Sequence, residues 1–206
     1  RIVHFDVDPM VIGANLPTEV GVVGDLRMSL EMVNAELDRH EQGLSTFGGA
    51  AAVADIKRRK FEIFDRIADA GDTPIRPERA ISALMKVLPS DAIVVSDPGT
   101  SCPYYSAYYQ QQLAGRYFIT NRAHGALGYS LAASLGAWHG RPSSKTVALM
   151  GDGSFGFTVG ELETVCRAKA PITFVVFSNS NFGWIKASQM ADKGSRYYNV
   201  DFNRVD

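Results

Sequence analysis

The chain has 206 residues, 46% hydrophobic and 21% charged, with a formal net charge of -1. That length suits one domain plus part of another, and that charge supplies no electrostatic pull toward nucleic acid or an anionic membrane surface. No apolar run reaches the roughly 18–20 residues of a membrane-spanning helix, and no secretory signal is evident at the start. The two cysteines, Cys102 and Cys166, stand far apart and form no metal or redox motif. Together these features predict a cytoplasmic protein with free thiols.

"RIVHFDVD" (1–8) reads as a strand, rich in β-branched and aromatic residues. "PMVIGANL" reads as a short helix or turn, and "EVGVVGD" (19–25) as a second strand. Asp25 then suits the N-cap of a helix on which Leu26, Leu30, Val33 and Leu37 share one face. Two strands cannot close a sheet, so residues 1–40 are expected to be the end of a larger α/β domain. The glycine-rich "EQGLSTFGGA" (41–50) marks a boundary. A charged helix follows over residues 51–70. Its "KRRK" run belongs to a mixed-charge helix in a nearly neutral chain and reads as a solvated face. "GDTPIRPE" is a turn, which completes a linker and helix over 41–76.

From about residue 77 onward strands and helices alternate. Helix "RAISALMKVL" precedes strand 92–97, and the loop "PGTS" leads to a helix containing "YYSAYYQQQL". Strand 116–120, the loop "AHGALG" and the helix "YSLAASLGAWH" come next. They are followed by strand 146–150, helix 157–169, strand 172–178 and a helix from about Gly183. This rhythm predicts an α/β fold: a doubly wound parallel sheet with helices on both faces. The apolar runs "TVALM" and "ITFVVF" fit strands buried on both sides. Ligands in such sheets sit at the carboxyl ends of strands. Three loops fall there, over 97–101, 151–156 and 178–183.

The middle loop, Gly151-Asp152-Gly153-Ser154-Phe155-Gly156, matches the dinucleotide fingerprint G-x-G-x-x-G. A pyrophosphate held on bare backbone amides needs no anion beside it, and Asp152 is an anion. The acidic residue expected at the end of the next strand is also missing, because that strand runs into "FSNSN". A divalent cation between loop and phosphate resolves the conflict. Mg²⁺ takes oxygen ligands, commonly one or two carboxylates plus phosphates and water. Asp152, the side-chain oxygen of Asn179 and the backbone carbonyl of Asn181 could supply the protein's share. Gly151 and Gly153 would let the backbone approach the phosphate, and Ser154 with the following helix would supply donors. The same residues also allow a simpler reading, with Asp152 as a helix N-cap and Asn179 as a turn residue.

"GDGSF" followed 27 positions after Asp152 by Asn179 resembles the signature of thiamine-diphosphate-dependent enzymes: GDG, a spacer of that order, then an Asn pair. "PIRPERAISALMKVLPSDAIVVSDPGT" and "AHGALGYSLAASLGAW" are similar to the cofactor domain of the acetolactate synthase, oxalyl-CoA decarboxylase and pyruvate decarboxylase group. "RIVHFDVDPMVIGANLPTEVGVVGD" resembles the end of that group's middle domain, which holds FAD or ADP in some members. The resemblance implies a thiamine-diphosphate- and Mg²⁺-binding domain over 77–206, short of its C-terminal end. In it Asp152, Asn179 and Asn181 hold the metal, and Gly99, Thr100, Ser101, Gly151, Gly153 and Ser154 line the diphosphate. Leu127 presses the two cofactor rings into a bent shape, bringing the 4′-amino group near thiazolium C2. The carbonyl of Gly125 accepts a hydrogen bond from that amino group. The implied substrate is a small 2-oxo acid or acyl derivative, decarboxylated with or without carbon–carbon ligation.

Departures from the family pattern narrow this reading. Ser178 replaces the first Asn of the pair. Ile185 stands where pyruvate decarboxylase-type enzymes carry a glutamate, and Ser188 where acetolactate synthases carry a pocket tryptophan. Thr100-Ser101 replaces the Gln-His pair of the acetolactate synthases. Asp6 or Asp8 could lie near an adenine ribose, or could simply end a strand in a turn. The family's activating glutamate belongs to a pyrimidine-binding domain and faces the cofactor domain of another subunit, which implies a homo-oligomer with the active site at an interface. Glu161 and Glu163 are expected on an outer helix face instead, so no catalytic residue is assigned within this chain. The chain is accordingly expected to be a fragment, starting at Arg1 and stopping without a terminal helix, inactive alone. A NAD-type oxidoreductase domain and a non-catalytic dimerisation fragment are the competing readings.

Overall fold

The computed structural model describes residues 1–40 and 49–202. The glycine-rich boundary read over 41–50 lies outside them except for Gly49 and Ala50, which open a helix. The chain forms two compact units, Arg1–Val53 and Ala54–Asp206.

In the first unit, β1 (Val3–Asp6) and β2 (Val20–Val23) pair in parallel, from Val3 opposite Val20 to Asp6 opposite Val23. The stretch between them makes turns, with no helix. Asp6 and Asp8 each close a turn, accepting the backbone N–H two residues on at 2.8 and 2.9 Å. Helix α1 (Leu26–Arg39) starts at Asp25, whose carboxylate accepts the Met28 N–H at 3.0 Å. This satisfies one of the orphan donors of the first turn. The stripe Leu26, Leu30, Val33 and Leu37 nevertheless stays exposed.

Helix α2 (Gly49–Asp69) carries the basic run. Arg58 bonds Asp55 and Glu62 at 2.6 and 2.7 Å, and Arg59 pairs with Asp55 at 3.0 Å. Those partners make it a solvated mixed-charge face, as its composition predicts. Its other face buries Phe64 and Ala68.

The second unit is built on a four-stranded sheet in the order β4-β3-β5-β6, with every pairing parallel. The strands are β3 (Ile93–Ser96), β4 (Phe118–Ile119), β5 (Thr146–Gly151) and β6 (Thr173–Phe177). The intervening helices are α3 (Pro77–Val87), α4 (Ser101–Tyr108), α5 (Tyr129–Gly140), α6 (Asp152–Thr158) and α7 (Leu162–Arg167), with α8 (Gly183–Asp192) last. Side chains alternate along β5. Val147 and Leu149 pack with Phe64 of α2, Ile81 of α3 and Tyr105 of α4. Ala148 and Met150 pack on the opposite face with Leu131 of α5 and Val165 of α7. Helices thus cover both faces, and each fully buried side chain of this size contributes roughly 1.5–3 kcal/mol. The fold is the α/β doubly wound parallel sheet that the alternating pattern predicts.

Two expectations are corrected. "ITFVVF" is not buried on both faces, because β6 is an edge strand of the described sheet and leaves Thr173 and Val176 exposed. The glycine run 151–156 is not a loop before a helix at 157. Helix α6 begins at Asp152 itself, and a 3₁₀ turn over Val159–Glu161 separates it from α7. Glycine lowers helix propensity, so the run reads as a loop by composition. Its conformation is set by tertiary contacts of Asp152 and Gly153.

Candidate functional site

Because the strands are parallel, the segments leaving β3, β4, β5 and β6 emerge at one edge of the sheet, where such folds bind ligands. Asp152 stands at the centre of it. Gly151 ends β5 and caps α6, so Asp152 is the first residue inside the helix and not its N-cap. Its Oδ1 accepts the Gly153 N–H at 2.8 Å. Its Oδ2 reaches across to the segment after β6, accepting the N–H groups of Asn179 and Ser180 at 2.8 and 2.7 Å. The Ser178 hydroxyl donates to the same oxygen at 3.3 Å, so the residue that replaces the family's first Asn supports the carboxylate.

The segment after β6 is held in place from both sides. Ser180 has φ 55, an uncommon conformation for a non-glycine residue. The backbone around it pairs with the chain near residue 201: Phe182 N–H donates to the Val200 carbonyl at 2.8 Å, and Phe202 N–H to that of Ser180 at 3.1 Å. The Phe182 ring lies against Gly153, where a Cβ would come within 2.6 Å of it. A side chain at 153 would therefore have to displace that ring. A Cβ on Gly183 would meet Asn179 Nδ2 at 3.0 Å, and Asn181 Oδ1 and Thr100 Oγ1 each at 3.2 Å. Thr100 from the β3 side is thus gathered with Asn179 and Asn181 around one small cradle.

The other predicted residues divide by position. Gly99 and Thr100 are half-buried in the turn after β3. Ser101 and Ser154 are buried, and the Ser101 hydroxyl lies 3.2 Å from Ser96 Oγ, inside the fold. Thr100 therefore carries the hydroxyl at the cradle. Gly125 is exposed and Leu127 half-buried in the segment between β4 and α5. Glu161 and Glu163 are exposed; Glu161 accepts from Thr164 and Glu163 pairs with Arg167 at 3.1 Å. Ile185 is exposed on α8, and Ser188 donates to Asp192 at 3.0 Å.

Sequence reasoning assigned no role to Phe182, Gly183 or Asp97. Nothing in the residue pattern pairs Phe182 with Gly153. Asp97 did carry a signal: a carboxylate ending an apolar strand. It is fully buried at the end of β3, where Ser130 donates to it through its hydroxyl at 2.6 Å and its backbone N–H at 3.3 Å. Burial pushes its pKa up from the ordinary value, and those bonds pull against the shift.

The donor set suits a hard divalent cation. Asp152 Oδ1, Asn179 Oδ1 and the Asn181 carbonyl each accept one N–H, from Gly153, Asn181 and Gly183 respectively, at 2.8, 3.2 and 3.0 Å. An sp² oxygen has room for a second partner. Among the described residues no cluster of three or more His, Cys, Asp or Glu could hold a metal. One carboxylate and two neutral oxygens leave half of a divalent charge unbalanced, and phosphate oxygens fit that deficit.

A parallel α/β sheet with a carboxylate and amides gathered at its strand ends belongs to the doubly wound class, which binds ligands at that position. The particular family follows from comparison: residues 97–206 match the family described as "Thiamine pyrophosphate enzyme, C-terminal TPP binding domain", and the chain belongs to it. Among curated proteins it is 26% identical to a probable acetolactate synthase large subunit of Methanococcus aeolicus, over 98% of this chain and 35% of that protein. It is 29% identical to acetolactate synthase 2, chloroplastic, of Nicotiana tabacum, over 90% of this chain and 27% of that protein. It is 30% identical to the sulfoacetaldehyde acetyltransferase of Roseovarius nubinhibens, over 89% and 33%. The chain spans about a third of the length of these relatives. No helix among the described residues is long and apolar enough to cross a membrane.

Proposed function

We propose that this chain is the diphosphate- and Mg²⁺-binding part of a thiamine-diphosphate-dependent decarboxylase or carboligase acting on a 2-oxo acid or its acyl derivative. The observation that carries the reading is Asp152, placed at the end of β5 and tied to the Asn179–Ser180 backbone, with Thr100, Asn179 and Asn181 gathered at Gly183. Asp152, Asn179 Oδ1 and the Asn181 carbonyl hold Mg²⁺. Thr100 and the backbone at Gly99, Gly151 and Gly153 receive the diphosphate, and buried Ser101 and Ser154 back that wall. Bound here, thiamine diphosphate supplies the electron sink that decarboxylation of a 2-oxo acid requires. Leu127 supports its rings, and the Gly125 carbonyl accepts from the 4′-amino group. These residues bind and orient.

The activating carboxylate comes from a pyrimidine-binding domain of a second subunit, so the enzyme is a homo-oligomer with its site at the interface. In support, the described segments leaving the four strands contain no glutamate, and Trp184 and Ile185 beside the site are exposed apolar residues. The first unit is the end of a middle domain of the FAD- or ADP-holding kind, and the chain alone turns nothing over. The unpaired Cys102 and Cys166 agree with a cytoplasmic location.

Calorimetric titration of the intact protein with thiamine diphosphate and with NAD, each with and without Mg²⁺, tests the reading. Thiamine diphosphate should bind only with the metal. NAD binding without metal would overturn the proposal in favour of a dinucleotide domain. Turnover by the 206 residues alone would overturn the claim that they are inactive.

A further inference from the structure

The buried carboxylate of Asp97 occupies a junction between the site's parts. It directly follows β3 and precedes the turn over Pro98–Thr100. It accepts from Ser130 at the start of α5, through the backbone N–H at 3.3 Å and the hydroxyl at 2.6 Å. Gly128, which caps α5, has no capping side chain of its own. Asp97 performs that task from another element, satisfying the Ser130 N–H that a helix start leaves open.

Gly128 is held as well. Its carbonyl accepts the Thr158 hydroxyl at 3.1 Å, and Thr158 is the last residue of α6, the helix that Asp152 begins. A Cβ on Gly128 would come within 2.7 Å of the Thr158 methyl group, and its φ of +84 is one that side chains rarely adopt. The Gly128–Ser130 segment is thus clamped between the diphosphate turn, through Asp97, and the far end of the metal helix, through Thr158. Leu127 is the residue immediately before the clamp.

We propose that Asp97, with Ser130 and Thr158, is a positioning residue that sets the Leu127 segment against the metal and diphosphate elements, and so fixes where the cofactor's rings sit. This inference rests on the thiamine-diphosphate reading. It assigns Asp97 no proton transfer. A carboxylate suits the place because it is acceptor-only when ionised and here faces only donors; an asparagine would turn an NH₂ group toward some of them.

The test separates ring placement from folding and from diphosphate binding. In the intact protein, affinities for thiamine diphosphate–Mg²⁺ and for inorganic diphosphate–Mg²⁺ are measured by calorimetry for the wild type, Asp97→Ala, Asp97→Asn, Ser130→Ala and Thr158→Val. Near-ultraviolet circular dichroism of the bound cofactor reports the environment of its aminopyrimidine ring. Asp97→Ala should weaken thiamine diphosphate by about tenfold, the scale of a lost hydrogen bond to a charged group. It should leave inorganic diphosphate within about twofold and shift the dichroism band. Asp97→Asn should recover part of the loss. If Asp97→Ala fails to fold, Ser130→Ala and Thr158→Val carry the same expectation with smaller shifts. Equal losses for both ligands, or unchanged affinity and spectrum in a wild-type protein that does bind the cofactor, would overturn the inference. A wild-type protein that binds no thiamine diphosphate would overturn the underlying reading and this inference together.

Discussion

The two units use similar words to different effect. β1 and β2 read "VHFD" and "VGVV"; β3 and β5 read "IVVS" and "TVALMG". All are short and apolar, and all pair in parallel. Yet β3 is buried at every residue and β5 at all but its last, while no described residue of the first unit is buried. Helix α1 carries a regular apolar stripe and a satisfied N-cap, and the stripe still faces outward. Periodicity specifies an element and its apolar side. Burial needs a partner layer, which the second unit has on both faces of its sheet.

The contrast can be broken first in the core. Leu149→Ala removes a fully buried side chain from the sheet's centre and should cost the second unit about 2–5 kcal/mol, read by urea unfolding. A cost near zero would mean that the packing described here does not hold the sheet together. Asp152→Ala addresses the site, which lies wholly in the second unit. It should weaken Mg²⁺-dependent cofactor binding beyond about a hundredfold and leave the circular dichroism of the fold in place. Unchanged affinity would remove Asp152 from the metal assignment.

Asp97 supplies a pH signature of the second unit. Its pKa in the folded state is raised above 3.8 by burial, so the folded chain holds that proton more tightly than the unfolded chain. Stability from this source is present below the unfolded value and is lost as pH rises through the folded one. The stability difference between wild type and Asp97→Asn should therefore fall as pH increases through that window. A difference that grows with pH would contradict the burial argument. The smallest effect belongs to α1: Leu30→Ala, at a 44% exposed position, should change stability by less than about 0.5 kcal/mol. A cost approaching that of Leu149→Ala would show that the stripe is covered in the intact protein.

Much of the site is local in sequence and so was legible there. A carboxylate between glycines at a strand end, followed at fixed spacing by an amide, places Asp152 and Asn179 on adjacent strand ends of a parallel sheet by topology alone. The structure brings them together through the Asn179 N–H at 2.8 Å. The conformation of the glycine run was not legible, because propensity favours a loop and the helix start depends on what Asp152 grips across the sheet.

The residue pattern by itself determined the alternating parallel architecture, the Asp25 cap, the solvated basic face of α2 and the pairing of Asp152 with the segment after β6. Each rests on periodicity, a short-range bond or a strand-end position. Only the tertiary structure decided that the stripe of α1 stays exposed and that Ser101 turns inward while Thr100 faces the cradle. It alone decided that the Phe182 ring lies against Gly153 and that Asp97 caps a helix beginning more than thirty positions away. Those outcomes depend on which surfaces meet after folding, and a contact between distant segments leaves no periodic trace in the residues that make it.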